Sequence, residues 1–182
     1  PTLQTAEVLE PEGKILSAAI GYQFSSELYN RYPYLDVMYR HGFVEGLDIG
    51  VHSVGGFSNF LDAKFRLYAS GPWAVAVGGL AGFSFGGEIL RHIYSPNSYF
   101  EMGIPFYLSF RPSPTFAVFA SPKYLFTRYF NLGNVSGVGT ALGIAAGSEW
   151  GGILEVTYIA HFGDFLSCSP TLQVNTGVFF RL

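Results

Sequence analysis

Residues 16–24 read Leu-Ser-Ala-Ala-Ile-Gly-Tyr-Gln-Phe, so Leu16, Ala18, Ile20, Tyr22 and Phe24 alternate with Ser17, Ala19, Gly21 and Gln23. Successive residues of a β-strand point to opposite faces, and a period of two is the spacing such a strand leaves in a sequence. One face here is apolar and the other small or polar, so the strand separates two environments. The same alternation sets Leu35, Val37 and Tyr39 against Asp36, Met38 and Arg40, and Leu47, Ile49 and Val51 against Asp48, Gly50 and His52. It returns in Leu61, Ala63, Phe65 and Leu67 against Asp62, Lys64, Arg66 and Tyr68, and again over 73–85, 100–110, 116–126, 140–146, 154–162 and 172–182. The pattern predicts about ten strands, an even number as closure of a bacterial membrane barrel normally requires.

Composition tells which solvent the apolar face meets. The 182 residues are 49% hydrophobic and 18% aromatic but only 13% charged, against roughly a quarter charged in an ordinary soluble domain. Mean hydropathy is +0.28. No run approaches the ~18 apolar residues of a membrane helix, since the longest, 73–85, is broken by Gly78, Gly79 and Gly82. A soluble up-and-down barrel of the lipocalin kind would carry more Lys and Glu on its water-facing side than this chain provides. The polar faces, rich in Gly, Ala and Ser, suit a narrow lumen instead. The predicted fold is therefore all-β, a closed up-and-down antiparallel transmembrane barrel over 14–182.

Connection lengths alternate along the chain. The segments 40–46, 69–72, 111–114 and 147–151 are short and rich in Gly, Pro or Ser, whereas 25–33, 84–98, 128–136 and 163–170 are longer, and 53–59 is the exception. Short turns on the periplasmic side and long loops outside are the habit of outer-membrane barrels, which places both termini in the periplasm. Aromatics gather at strand ends, with Phe24, Tyr34, Phe57, Phe83, Tyr99, Phe126 and Phe162 toward one rim and Tyr39, Trp73, Phe110, Phe116, Trp150 and Phe180 toward the other. Two such girdles fit the two lipid–water boundaries.

The chain end is the most specific motif. Asn175, Gly177, Phe180 and Leu182 follow polar-x-Gly-x-x-hydrophobic-x-hydrophobic, which resembles the C-terminal assembly signal of small bacterial outer-membrane β-barrel proteins. The resemblance is at the level of that class. It implies an outer-membrane location, lipid as the surrounding partner and insertion by the barrel-assembly machinery.

With apolar residues outward, the expected interior acids are Asp36, Asp48, Asp62, Glu101 and Glu155 and the interior bases Arg40, Lys64, Arg66, Lys123 and Arg181. A charge in a confined lumen is costly unless paired, so cross-barrel ion pairs are expected, with Ala74, Ala76, Gly78, Ala141, Gly143 and Ala145 leaving room for long stems. Such a network either fills the barrel or lines a narrow conduit for ions or small solutes. Pro105 and Pro122 fall nearly side by side in neighbouring strands, where each removes a ladder donor and marks a weakened seam, a contact surface for another envelope protein or a lateral opening.

Signals for catalysis are sparse. Gly82, Ser84 and Gly86 match G-x-S-x-G, but no helical pattern follows to form a nucleophile elbow. An acyl-transfer alternative joins Ser84 to His52 or His161, with Asp48 and Glu155 further down the same strands, much as outer-membrane lipid A deacylases, palmitoyltransferases and phospholipases carry a serine and a histidine at the barrel wall. The histidines His41, His52, His92 and His161 lack metal-ligand spacing, no nucleotide-binding glycine motif is present, and no cofactor is expected. The lone Cys168 makes no internal disulfide, and a net charge of −3 argues against nucleic acid as a partner. The longest loop carries Arg91, His92, Tyr94 and Pro96 for recognition of an outside partner. Residues 1–13, with Glu7, Glu10 and Glu12, show no period and read as an acidic periplasmic lead-in; with no signal-peptide pattern, the expected form is a processed chain.

Overall fold

The structure is a computed structural model that describes residues 4–25, 32–85, 98–130, 133–163 and 170–182. Ten strands follow one another: β1 (Lys14–Ser25), β2 (Tyr32–Val44), β3 (Leu47–Val54), β4 (Ser58–Ser70), β5 (Trp73–Ser84), β6 (Tyr99–Ser113), β7 (Phe116–Tyr129), β8 (Gly133–Gly147), β9 (Trp150–Gly163) and β10 (Thr171–Arg181). Each pairs antiparallel with its sequence neighbour and β10 pairs with β1, so the sheet is a closed up-and-down barrel without an edge. Closure is completed by the Leu182 amide, which donates to the Lys14 carbonyl at 2.9 Å. The start of β1 and the end of β10 therefore lie at one end of the barrel.

The period of two sorts the side chains as the sequence predicts. Leu16, Ile20, Leu35, Leu61, Phe65, Ile104, Leu142, Leu154 and Tyr158 lie exposed on the outer wall, while Asp36, Arg40, Asp48, Lys64, Glu155 and Asn175 are buried inside. The charged set is thus the core and the apolar set the surface, the reverse of a soluble domain.

Register slips at three places, between Gly42 and Val44, Arg66 and Tyr68, and Phe110 and Ser113, all close to turns at the end where β1 starts and β10 ends. Each slip exchanges faces locally. Tyr68, expected inside opposite Leu67, consequently joins it on the outer wall, both 54% exposed. At the opposite end β3 and β4 are joined by Gly55 and Gly56 at φ 61° and 77°, with the Phe57 amide donating to the Val54 carbonyl. Glycine reaches positive φ without a Cβ clash, which lets the three residues between Val54 and its register partner Ser58 reverse the chain and is why this one connection on the long-loop side is tight. The 128–136 segment is also shorter than expected, since β7 runs to Tyr129 and β8 begins at Gly133.

Candidate functional site

The interior of the barrel is the site, and its charged half is built on β2, β3 and β4. Arg40, Gly50 and Asp62 are opposite one another across the three strands, all facing inward. A Cβ at Gly50 would stand 3.0 Å from Arg40 Nη1 and 3.1 Å from Asp62 Oδ1, so glycine leaves the gap over which Arg40 reaches Asp62. The same guanidinium donates through Nε and Nη2 to Asp48, 3.0 Å from Nε. Arg40 is 2% exposed and Asp48 0%, and one cation is shared by two carboxylates. Lys64 Nζ lies 3.6 Å from Asp48 Oδ2 and 5.5 Å from the centre of the Tyr107 ring. Toward the opposite end His52 pairs with Asp36.

Residues 4–10 do not hang below the barrel as a lead-in. Glu10–Gly13 form a turn in which the Gly13 amide donates to the Glu10 carbonyl, with Pro11 followed by Glu12 at φ 66°, and the chain before it enters the mouth. There the backbone meets the charged wall. Lys64 Nζ donates to the Thr5 carbonyl at 3.1 Å, the Leu9 amide donates to Asp48 Oδ2 at 3.1 Å, and Gln4 Nε2 reaches Met38 Sδ at 3.2 Å. Ala6 and Val8, both buried, pack with Ala74, Ala76 and Tyr107. Glu7 accepts from Arg111 and, at 3.5 Å, from Arg181, while Arg66 pairs with Glu10 at 3.6 Å and Glu45 at 3.3 Å. Arg66 and Arg181 therefore belong to the mouth and its plug, and the interior acids are answered by Arg40, Lys64, Lys123 and His52.

The remaining polar residues form a second group. Thr157 and Asn175 donate to Glu155 Oε1 at 2.9 and 3.3 Å, and the Tyr34 hydroxyl donates to Asn175 Oδ1 over Gly21, whose register partners are Tyr34 and Asn175. Thr127 donates to Glu101 at 3.1 Å, and buried Lys123 stands in the field of both Glu155 and Glu101. Tyr34 is thus not a rim aromatic, and Tyr99 also turns inward, where its hydroxyl joins Ser58 and Ser84. Asn175 of the chain-end motif and Gly177 face the lumen, whereas Phe180 and Leu182 face out.

The residues named for acyl transfer each contact another partner. Ser58 Oγ donates to Ser84 Oγ at 2.8 Å, His52 pairs with Asp36, and His161 Nε2 contacts Thr171 Oγ1 at 3.0 Å. Gly86, Arg91, His92, Tyr94, Pro96 and Cys168 lie outside the described residues. No cluster able to hold a metal occurs among the described residues.

Around the prolines the ladder lapses on both sides of β6. Pairing with β7 stops after Pro105–Lys123 and resumes at Leu108–Ala120, and pairing with β5 stops after Phe106–Val77 and resumes at Gly103–Leu80. Pro105 points inward, Pro122 outward, and β7 keeps its register with β8 across Pro122.

Sequence reasoning missed Arg111, Tyr34 and the plug. The signals were present: Arg111 shares inward parity with Glu101, and Gln4, Ala6 and Val8 repeat a period of two. Inward glycines were the other signal, because Gly21 and Gly50 each lie between two polar residues that join over them.

No protein-family model and no curated protein sequence matches this chain. Among solved structures it is similar to Ail, the attachment invasion locus protein of Yersinia pestis, at 11% identity and a TM-score of 0.40, over 96% of this chain and 100% of that one. It is similar to the translocator domain of the autotransporter NalP from Neisseria meningitidis at 12% identity and 0.40, over 96% and 90% of the two chains. A third is a loop-deletion form of OmpT, an outer membrane protein of Vibrio cholerae, at 10% identity and 0.37, over 94% and 100%.

Proposed function

We propose that this chain is a bacterial outer-membrane barrel whose lumen is closed by its own side chains and N-terminal segment, and that it serves the envelope as a structural or accessory component that binds a partner. The observation that carries this reading is the buried Arg40–Asp48–Asp62–Lys64 cluster, capped by the Thr5 carbonyl and the Leu9 amide. Four charges tied to one another and to the plug leave them fixed in place, and an ion crossing the lumen would have to break them. Strands of 8–15 residues bracket the ~9–11 that span a bilayer, and the outward apolar wall gives lipid a surface to meet. Both termini face the periplasm in this reading, the barrel-assembly machinery reads β10 during insertion, and the interrupted β5–β6–β7 seam offers another envelope protein a place to dock.

The test is electrical. Purified barrel in a planar bilayer is expected to give a silent baseline, and discrete current steps from the intact chain would replace the scaffold by a channel.

A further inference from the structure

The plug fills only part of the mouth. It packs on β2–β6 and leaves a cavity of about 340 Å³ around itself that reaches across the mouth to β7–β10 and β1. The back of that cavity is apolar: Ala117, Ala145, Ile153 and Phe179, the last three belonging to the cluster that Phe119 closes from below. Its entrance is cationic. Arg111 and Arg181 share Glu7, and Arg181 lies 6.0 Å from the Phe179 ring centre, so charge and apolar surface adjoin. Five cationic side chains line the cavity against three carboxylates, in a chain whose net charge is −3.

Three polar atoms in this lining are buried with no hydrogen-bond partner among the described residues: Ser17 Oγ, Gln4 Oε1 and Arg111 Nε. Ser17 is 3% exposed and faces the cavity from β1. Native structures leave few such groups orphaned, and a ligand is one way of satisfying them. Two of the three are donors, which calls for an acceptor head group.

From the apolar wall, the arginine pair and the orphaned donors together we infer that this cavity is a binding site for a single-chain anionic amphiphile. The head group, a carboxylate or a phosphate monoester, meets Arg111, Arg181 and Ser17 and takes over the place of Glu7. The chain lies along Ala145, Ile153 and Phe179. Size sets the length: a dry cavity of about 150 Å³ accepts a benzene ring, so this one accepts roughly ten to twelve carbons, one short acyl chain and not two. The cavity also falls at the lower end of the ~300–1,000 Å³ usual for small-molecule sites. The site is independent of whether the barrel conducts, and its test uses no current.

The whole chain is placed in phosphatidylcholine nanodiscs and titrated calorimetrically with decanoate, decyl phosphate and decyltrimethylammonium, with protein-free nanodiscs as the blank. Saturable one-to-one binding of at least one anion, and none of the cation, is expected. A preference for decanoate points to free fatty acids and a preference for decyl phosphate to lysophospholipid-type head groups. Ala145→Leu, which fills the chain's path, and Arg111→Gln, which removes a head-group donor, are each expected to weaken anion binding at least tenfold. Folding of both variants is checked by heat-modifiable gel mobility, with Ile153→Phe replacing Ala145→Leu should the latter misfold. Absence of saturable anion binding, equal binding of the cation, or indifference to both substitutions overturns the assignment.

Discussion

Two walls face each other across the lumen and are built on opposite plans. The wall of β2–β4 carries Asp36, Arg40, Asp48, His52, Asp62 and Lys64, whereas β8 presents Val135, Gly137, Gly139, Ala141, Gly143 and Ala145. The charged wall is held by ion pairs that reach across a glycine and by backbone groups borrowed from the plug. The small wall is covered by an aromatic ring from its neighbour, Phe119 lying over Gly143, and the start of β9 beside it likewise, Phe179 lying over Gly151, each in direct register. One wall is therefore sensitive to loss of a partner and the other to gain of volume. The plug docks where charges need partners, and the cavity around it reaches across to Ala145 on the small wall.

That contrast can be broken most forcefully at Arg40. Arg40→Met leaves Asp48 and Asp62 buried beside each other without their shared cation, and removal of one partner from a buried pair typically costs about 3–5 kcal/mol. Urea unfolding followed by heat-modifiable mobility is expected to show that loss; a midpoint within error of the parent would mean that the cluster is not a structural element. Deleting residues 1–10 comes next. It exposes the surfaces that Val8 and Ala6 cover, about 2 kcal/mol for a buried valine-sized side chain, and strips Lys64 and Asp48 of backbone partners. Hydrogen exchange is expected to rise in β2–β4 while β8 and β9 stay protected, and equal loosening of both walls would erase the distinction.

The small wall responds to bulk. A Cβ at Gly143 would stand 2.6 Å from the Leu154 carbonyl and run into the Phe119 ring, so Gly143→Val is expected to cost about 1–3 kcal/mol by overpacking, read from the same unfolding curve. Ser84→Ala is the mildest change. It removes one hydroxyl contact with Ser58 near the opposite rim, about 1 kcal/mol or less, and is expected to leave turnover of phospholipid in proteoliposomes at the buffer rate. A lipid turnover that the parent shows and the variant lacks would revive the serine hydrolase alternative.

Most of the barrel was legible because it rests on one local rule. Alternation sorted Leu154, Val156 and Tyr158 from Glu155 and Thr157, and the two-environment reading needs nothing else. Where the rule failed, a bulge had intervened: the slip after Arg66 sends Tyr68 outward, and no composition cue distinguishes it from its neighbours. Parity put Asp36, Asp48, Asp62 and Glu155 on the inward face together with Arg40, Lys64 and Lys123, but it gives the face of a residue and not its depth. Arg66 and Arg181 share the inward parity of Arg40 yet sit at the mouth, where Glu10, Glu45 and Glu7 answer them. The lead-in was illegible for a different reason. Its backbone, not its side chains, supplies the contacts to Lys64 and Asp48, and backbone donors and acceptors are the same in every sequence.

The claim beneath all of this is that β9 looks at lipid with one set of residues and at an enclosed polar core with the other. A spin label carried in turn at residues 153–158, in a Cys168→Ser background reconstituted in liposomes, measures it directly by collision with oxygen, which concentrates in lipid, and with a water-soluble nickel chelate. Oxygen accessibility is expected to peak at 154, 156 and 158 and to fall at 153, 155 and 157, with the chelate excluded from the first set. Peaks of chelate accessibility at 154, 156 and 158, or no alternation at all, would contradict the account.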